Sequence, residues 1–309
     1  MLTSDREFNN IKVHTQYSIC EGAIKIDELA SYCKANKVRA IGLADSYNLC
    51  GALEFAEKIS KVGTQPLIGT QINLSVDNLI GKITLYATSE QGYKNLTKLS
   101  SLSYLKKKDS FEPYCEINDL TSNNRDLIIL TGNYNNFFGK LFYKNKTKHF
   151  EKTIESLNFS FKDRLYIEIQ RHGELKEANY ENYLLTISSK YNLPLIASQE
   201  VFYLNSDMAE AHDALVCIGE KQFLDDQNRF RYSDQHYLKR SEELKKIYKD
   251  IPEALENNYN FPLRFRFKPK KSKPILPSIS DKENISPENL LKNQARKGLE
   301  ERLKNFVFK

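Results

Sequence analysis

Ile11-Lys12-Val13-His14, then Ile26, Leu29, Ala30 and Cys33 at helical spacing, then Ala40-Ile41-Gly42-Leu43-Ala44: this opening stretch reads strand, helix, strand. The first group alternates apolar and polar residues, and the last is a short apolar run suited to a buried strand. The same rhythm continues down the chain. A helix is expected from about Gly51 to Ser60, then a strand beginning at Pro66-Leu67-Ile68-Gly69 and running through Val76. Ile83-Thr84-Leu85-Tyr86 reads as the next strand, followed by a helix opened by a Thr88 to Gln91 capping box. Leu127 to Thr131 (ended by Gly132), Leu165 to Ile169 and Pro194 to Ala197 read as strands. A helix is expected over 177–190, and another with Asp207 as its cap and Glu210 three residues on. Six or seven such repeats predict parallel strands with crossover helices, and at about 250 residues an α/β barrel, closed or nearly so. Functional groups in such barrels sit at the C-terminal strand ends. That directs attention to His14, Asp45, Gln71, Gln170 to His172, and Ser198 to Phe202.

The composition, 40% apolar and 28% charged over 309 residues, suits a chain that buries a large core without disulfide or metal staples. No apolar run approaches the ~18 residues of a membrane span. Met1 to Glu7 holds no hydrophobic stretch, so no secretory signal is expected. The five cysteines (Cys20, Cys33, Cys50, Cys115 and Cys217) are odd in number and form no CxxC pair, which points to reduced thiols in a cytoplasmic protein.

The net charge of +6 is uneven: residues 262–309 carry +8 and residues 1–261 carry −2. The main body is therefore not a strongly basic nucleic-acid binder. Two domains are read, 1–261 as the body and 262–309 as a linker and helix. Five of the nine prolines lie in 262–287, interleaved with lysines, as in an extended basic linker. Such a tail can contact phosphates or stand as a solvated spacer. Ser286-Pro287-Glu288 is a helix start, and the helix carries Leu290, Leu291, Ala295, Leu299, Leu303 and Val307.

The histidines are His14, His149, His172, His212 and His236. Imidazoles and carboxylates such as Asp45 and Glu200, converging from strand ends, could hold a divalent metal and activate water. Their spacing is equally that of hydrogen-bonded structural residues.

The motifs are more specific. Asn10-Ile11-Lys12-Val13-His14-Thr15-Gln16-Tyr17-Ser18 resembles the first motif of the PHP (polymerase and histidinol phosphatase) domain, His-x-His-x-His-Ser-x-Tyr-Ser, in the form found at the N-terminus of bacterial DNA polymerase III alpha subunits. Glu21-Gly22-Ala23 stands where that family has Asp-Gly-Ala. Asp45-Ser46-Tyr47-Asn48-Leu49-Cys50-Gly51-Ala52 resembles Asp-His-Gly-Asn-x-x-Gly-Ala, and Pro66 to Gln71 resembles Pro-Ile-Ile-Gly-x-Glu. Tyr166 to Gly173 matches the third motif. Ala197 to Tyr203 with Asp207 to Asp213 resembles Ala-Thr-Asn-Asp-x-His-Tyr followed by Asp-x-x-Ala-His-Asp. Lys273 to Pro277 and Ala295 to Leu303 resemble the run into the polymerase palm. The resemblance implies a distorted (β/α)7-type PHP barrel with a C-terminal proline-rich basic linker and helix.

In metal-binding members these motifs supply a site for several metal ions. Here Asn10, Lys12, Ser46, Gln71 and Phe202 replace family ligands, while His14, Asp45, His172, Glu200 and His212 remain. Asn and Gln are poor ligands, a serine hydroxyl is short and weak, and Phe cannot ligate. An ammonium at Lys12 would repel a cation. The expectation is a vestigial site with no metal and no catalytic residue, in which Lys12 pairs with Asp45 or Glu200; a single metal on His172, His212 and one carboxylate is the remaining metal option. The resemblance implies a scaffold in DNA replication that docks a separate proofreading 3′-5′ exonuclease subunit, beside other replicase subunits. The whole subunit would be a DNA-directed DNA polymerase, a nucleotidyltransferase transferase using Mg2+ and meeting DNA, with the basic tail as a further DNA contact. The palm carboxylates lie beyond these motifs, and no membrane partner is expected. The alternative is an active metal-dependent phosphoesterase or exonuclease of the PHP family.

Overall fold

The structure, a computed structural model, describes residues 6–105, 112–274 and 286–305. The chain falls into two units, 1–270 and 271–309. In the first, β1 (Lys12–Val13), α1 (Ile26–Ala35), β2 (Ala40–Leu43) and α2 (Ala52–Lys61) form the opening βαβα run. Then come β3 (Gln65–Val76), β4 (Leu79–Ala87), α3 (Glu90–Leu105), β5 (Cys115–Glu116) and α4 (Ile117–Ser122). β6 (Leu127–Leu130), α5 (Phe137–Tyr143), α6 (Thr147–Phe161), β7 (Leu165–Gln170) and α7 (Glu177–Tyr191) follow. β8 (Leu195–Ser198), β9 (Glu200–Val201), α8 (Ala209–Glu220), α9 (Ser241–Ile247) and α10 (Pro252–Asn260) complete the unit. The second unit contains α11 (Pro287–Asn305), whose start is capped by Ser286: its Oγ accepts from Asn289 N at 3.3 Å. Ile275 to Pro277 and Val307 lie outside the described residues.

The sheet runs β8-β7-β6-β4-β3-β2-β1-β9, with β5 beside β3. β8 and β9 are one stretch of chain interrupted at Gln199, so the two ends of the sheet meet and the barrel closes on itself. Along β8 the partner is β7; past Gln199 it is β1, with Lys12 opposite Glu200.

One strand departs from the all-parallel expectation. β3 and β4 form an antiparallel hairpin, and β4 pairs antiparallel with β6. The turn is Asp77-Asn78, both with positive φ (48° and 63°), as a tight hairpin turn requires. Two helix starts also differ. Ser89, not Thr88, caps α3, its Oγ accepting from Gly92 N at 3.1 Å, while the Thr88 hydroxyl donates to Asp126 O. Asp207 lies inside a 3-10 turn, Ser206–Met208, and α8 begins after it without a side-chain cap.

Strand periodicity sorts the barrel interior. At its base, Ile11, Leu67, Tyr86, Ile128, Leu130, Tyr166 and Ile196 form one apolar cluster, closed by Phe261 and Phe265. Phe261 meets Tyr86 edge-on at 5.4 Å, and the Tyr86 hydroxyl donates to Ile11 O at 2.6 Å. Outward residues such as Val13, Leu43 and Ile68 pack under α1 and α2, and Ile129, Ile167 and Ala197 under the helices of the other half. Packing continues past Phe261: Phe265 is buried and Arg266 N donates to Thr88 O at 3.0 Å. Among the described residues no helix is long and apolar enough to cross a membrane.

Because Phe265 plugs the base, Phe265→Ala should lower unfolding free energy by about 3–5 kcal/mol, whereas Leu263→Ala, at an exposed position, should change it by less than about 0.5 kcal/mol. Urea unfolding of both variants checks this; equal, small effects would mean that the base is not a packed plug.

Candidate functional site

Above the apolar base the barrel interior turns polar, and at its centre is a fully buried ammonium. Lys12 faces inward from β1 with its side chain wholly removed from solvent. Its Nζ lies 3.3 and 3.2 Å from the two carboxylate oxygens of Glu168 and 3.8 Å from Glu200 Oε1. Glu168, on β7, is further held by the Ser198 hydroxyl and by Gln170 Nε2 at 2.7 Å. Glu200 accepts from Gln71 Nε2 at 2.6 Å and Asn133 Nδ2 at 3.0 Å, and its Oε1 lies 3.1 Å from His14 Nε2. Burial alone would raise the Glu200 carboxyl, but Lys12 and His14 outweigh it and hold it well below the usual range. Each carboxylate oxygen of Glu168 and Glu200 has a donor, which a buried ion pair needs to be tolerated.

A second ammonium stands nearby. Lys82, on β4, pairs with Glu21 and approaches the Ser46 hydroxyl at 3.1 Å. Burial would lower the Lys82 amine, but Glu21 and the surrounding tyrosines raise it above its ordinary value. The Ser46 hydroxyl donates to Glu21 at 2.5 Å. Asp45 is not a partner of Lys12, contrary to one of the two pairings expected. Its oxygens accept from Thr15 N at 2.6 Å, Thr15 Oγ1 at 2.8 Å and Ser18 Oγ at 3.1 Å, which makes it a brace for the turn after β1.

The histidines are committed. His172 Nε2 accepts the Glu200 backbone N–H at 3.2 Å, and its Nδ1 lies 3.2 Å from Glu177. That lone pair cannot also bind a metal. His236 stacks on His172 at 3.9 Å, with Nδ1 3.0 Å from Glu200 O. His212 Nε2 donates to Glu21 O at 2.7 Å. Burial, reinforced at His172 by His236, lowers both His172 and His212. Phe202 fills the middle: its ring lies 4.7 Å from His14, 5.2 Å from His212, 4.8 Å from Tyr232 and 5.3 Å from His236.

So His14, Lys12, Ser46, Gln71, His172, Glu200, Phe202 and His212 are brought into one connected cluster, with Asp45 at its edge. Asn10 is not; its amide donates to Lys239 O, away from the others. His149 is also remote, beside Asp77. Sequence reasoning did not single out Glu168, Lys82, Glu21, Asn133, Tyr232 and His236 as site residues. Glu168 was signalled by inward alternation with Tyr166 and Gln170. Lys82 was hidden by the parallel assumption, because only an antiparallel β4 brings its first residues to the mouth. His236 follows a long irregular stretch and carried no signal.

The donor set does not suit the family's multinuclear metal site. Two ammonium groups and a phenyl ring occupy it, and the remaining lone pairs face protein donors. Among the described residues no group of three or more His, Cys, Asp or Glu is disposed to hold a metal ion.

A model of the PHP domain matches residues 10–172, and the chain belongs to this family. Along nearly its whole length it is similar to DNA polymerase III subunit alpha: 34% identical to that of Caulobacter vibrioides over 97% of this chain and 27% of the relative, and 31% identical to that of Vibrio cholerae over 99% and 26%. The chain thus spans about a quarter of the length of these relatives. The solved structure of an amidohydrolase from Chromobacterium violaceum shares 9% identity, with a TM-score of 0.42 over 63% of this chain and 87% of that one.

Two buried neutral histidines have a consequence for stability. The unfolded chain takes up protons below about pH 6.5 that the folded His172 and His212 refuse, so stability should fall as pH drops through that value. The slope is up to about 1.4 kcal/mol per pH unit for each histidine. Urea unfolding from pH 7.5 to 5.5 measures it. His172→Gln should flatten the profile; an unchanged profile in that variant would contradict the assignment.

Proposed function

We propose that this chain is the PHP-domain portion of a replicative DNA polymerase III alpha subunit, working in DNA replication as a metal-free scaffold. Its role is to hold a separate proofreading 3′-5′ exonuclease subunit beside the polymerase, in the cytoplasm. The whole subunit would be the DNA-directed DNA polymerase, a nucleotidyltransferase that uses Mg2+ at its own site and assembles with DNA and the other replicase subunits.

The observation that carries the reading is Lys12 seated between Glu168 and Glu200. An internal cation already neutralises the carboxylates that a metal would need. The barrel is stabilised by that pairing and by the Phe202 ring cluster, so the fold persists while hydrolytic chemistry does not. What remains useful is a rigid surface, and a polymerase without internal proofreading needs one on which an exonuclease can sit. Similarity to the alpha subunits over nearly the whole chain supports the replicative context.

Metal content and activity test this. After incubation with zinc, manganese and iron and then desalting, the chain should retain less than about one tenth of an equivalent by plasma mass spectrometry, and should not degrade a 3′-mismatched primer. The exonuclease subunit from the same cells should co-elute with it on size exclusion. Near-stoichiometric metal, abolished by His172→Ala and His212→Ala and accompanied by nuclease activity, would establish the phosphoesterase alternative instead.

A further inference from the structure

A second feature lies on the opposite side of the barrel wall from the polar cluster. The segment after the base plug, Phe265 to Lys270, alternates strictly: Phe265 and Pro269 are buried and Phe267 half-buried, while Arg266, Lys268 and Lys270 are exposed. Such alternation marks an extended chain, whose every second residue is about 6.6 Å from the last. Phe267 leans on Tyr93 of α3, with ring centroids 5.4 Å apart at 39°. Together with Glu90, Lys94 and Thr97 these residues line an open cleft of about 820 Å3. Lys94 is paired with Glu90 at 2.9 Å. Among the described residues, Arg266, Lys268 and Lys270 have no ion-pair partner, so the cleft keeps a net positive charge.

We infer that this cleft binds single-stranded DNA, with the Tyr93–Phe267 pair as a stacking platform and Arg266, Lys268 and Lys270 along the phosphates. Aromatic faces beside a row of cations are the combination that binds single strands without reading sequence. A duplex hides its base faces and would meet only the cations. An acidic peptide would answer the charge but leave the rings unused. The inference does not require a docked exonuclease; it takes from the replicative reading only the choice of DNA over RNA.

Fluorescence anisotropy with labelled oligo(dT) on the whole chain tests it. Binding should be tighter for oligo(dT) than for a duplex of equal length. It should weaken with salt at a log–log slope of about −2 to −3, as for three or four phosphate contacts. Phe267→Ala should weaken binding about tenfold or more, and Phe267→Tyr should restore it. Lys268→Gln with Lys270→Gln, at exposed positions that leave the fold intact, should weaken binding and flatten the salt slope. Lys292→Gln with Lys297→Gln on α11 should leave binding unchanged. Equal loss from the α11 variant, a duplex bound as tightly as oligo(dT), an indifferent Phe267→Ala, or preference for a poly-glutamate peptide would each overturn the assignment. Tighter binding of oligo(U) than of oligo(dT) would overturn the choice of DNA. Metal uptake and exonuclease co-elution are separate readouts, so failure of the scaffold reading would be seen independently.

Discussion

An ammonium group cannot be left alone inside a barrel. Removing Lys12 from water costs several kcal/mol, and that cost is offset only if opposite charge and hydrogen-bond acceptors are waiting. Glu200 supplies charge from β9, the strand paired with β1, and Glu168 from β7, one strand beyond it. Their remaining oxygens are in turn satisfied by Ser198, Gln170, Gln71, Asn133 and His14. Once Lys12 is fixed, the identities of its neighbours follow. Neutral amides and hydroxyls are tolerated where anionic ligands would oversupply charge, and an aromatic ring fills volume without needing a partner.

In the proposed metal-free reading, a buried lysine takes over the electrostatic work of a metal. A bound cation and a buried lysine serve the same electrostatic purpose, cancelling carboxylates that converge from several strands. The lysine does so without exchangeable positions for water or substrate. Lys82, paired with Glu21 and Ser46, extends the substitution to the mouth. His172, matched to the family by its motif, has its Nε2 lone pair turned to the Glu200 backbone N–H.

Much of the barrel was legible in the sequence, because strand and helix periodicities differ and the apolar runs were well separated. Leu165 to Ile169 declared its strand. The direction of β4 was not legible from periodicity, which is identical in parallel and antiparallel strands. The Asp77-Asn78 turn was the available clue, and without it nothing pointed to Lys82 at the mouth of the barrel. Motif resemblance located His14, Gln71, His172, Glu200, Phe202 and His212, but it could not rank Lys12's partners. Asp45 and Glu200 looked equivalent from the motifs, and Glu168 came instead from a strand interior whose charge the motif comparison did not weigh. Asn10 was drawn into the site by its motif position alone; its side chain turns to Lys239 O.

The most direct measurement is a double-mutant cycle on Lys12 and Glu168 at pH 7, read by urea unfolding. Lys12→Met alone leaves two buried carboxylates without their cation and should cost about 3–5 kcal/mol. Combined with Glu168→Gln, which removes one of the stranded charges, it should cost clearly less than the sum of the two single changes, with a coupling of at least about 2 kcal/mol. Costs that simply add would mean that Lys12 and Glu168 do not hold each other, and that the barrel keeps its fold by some other means.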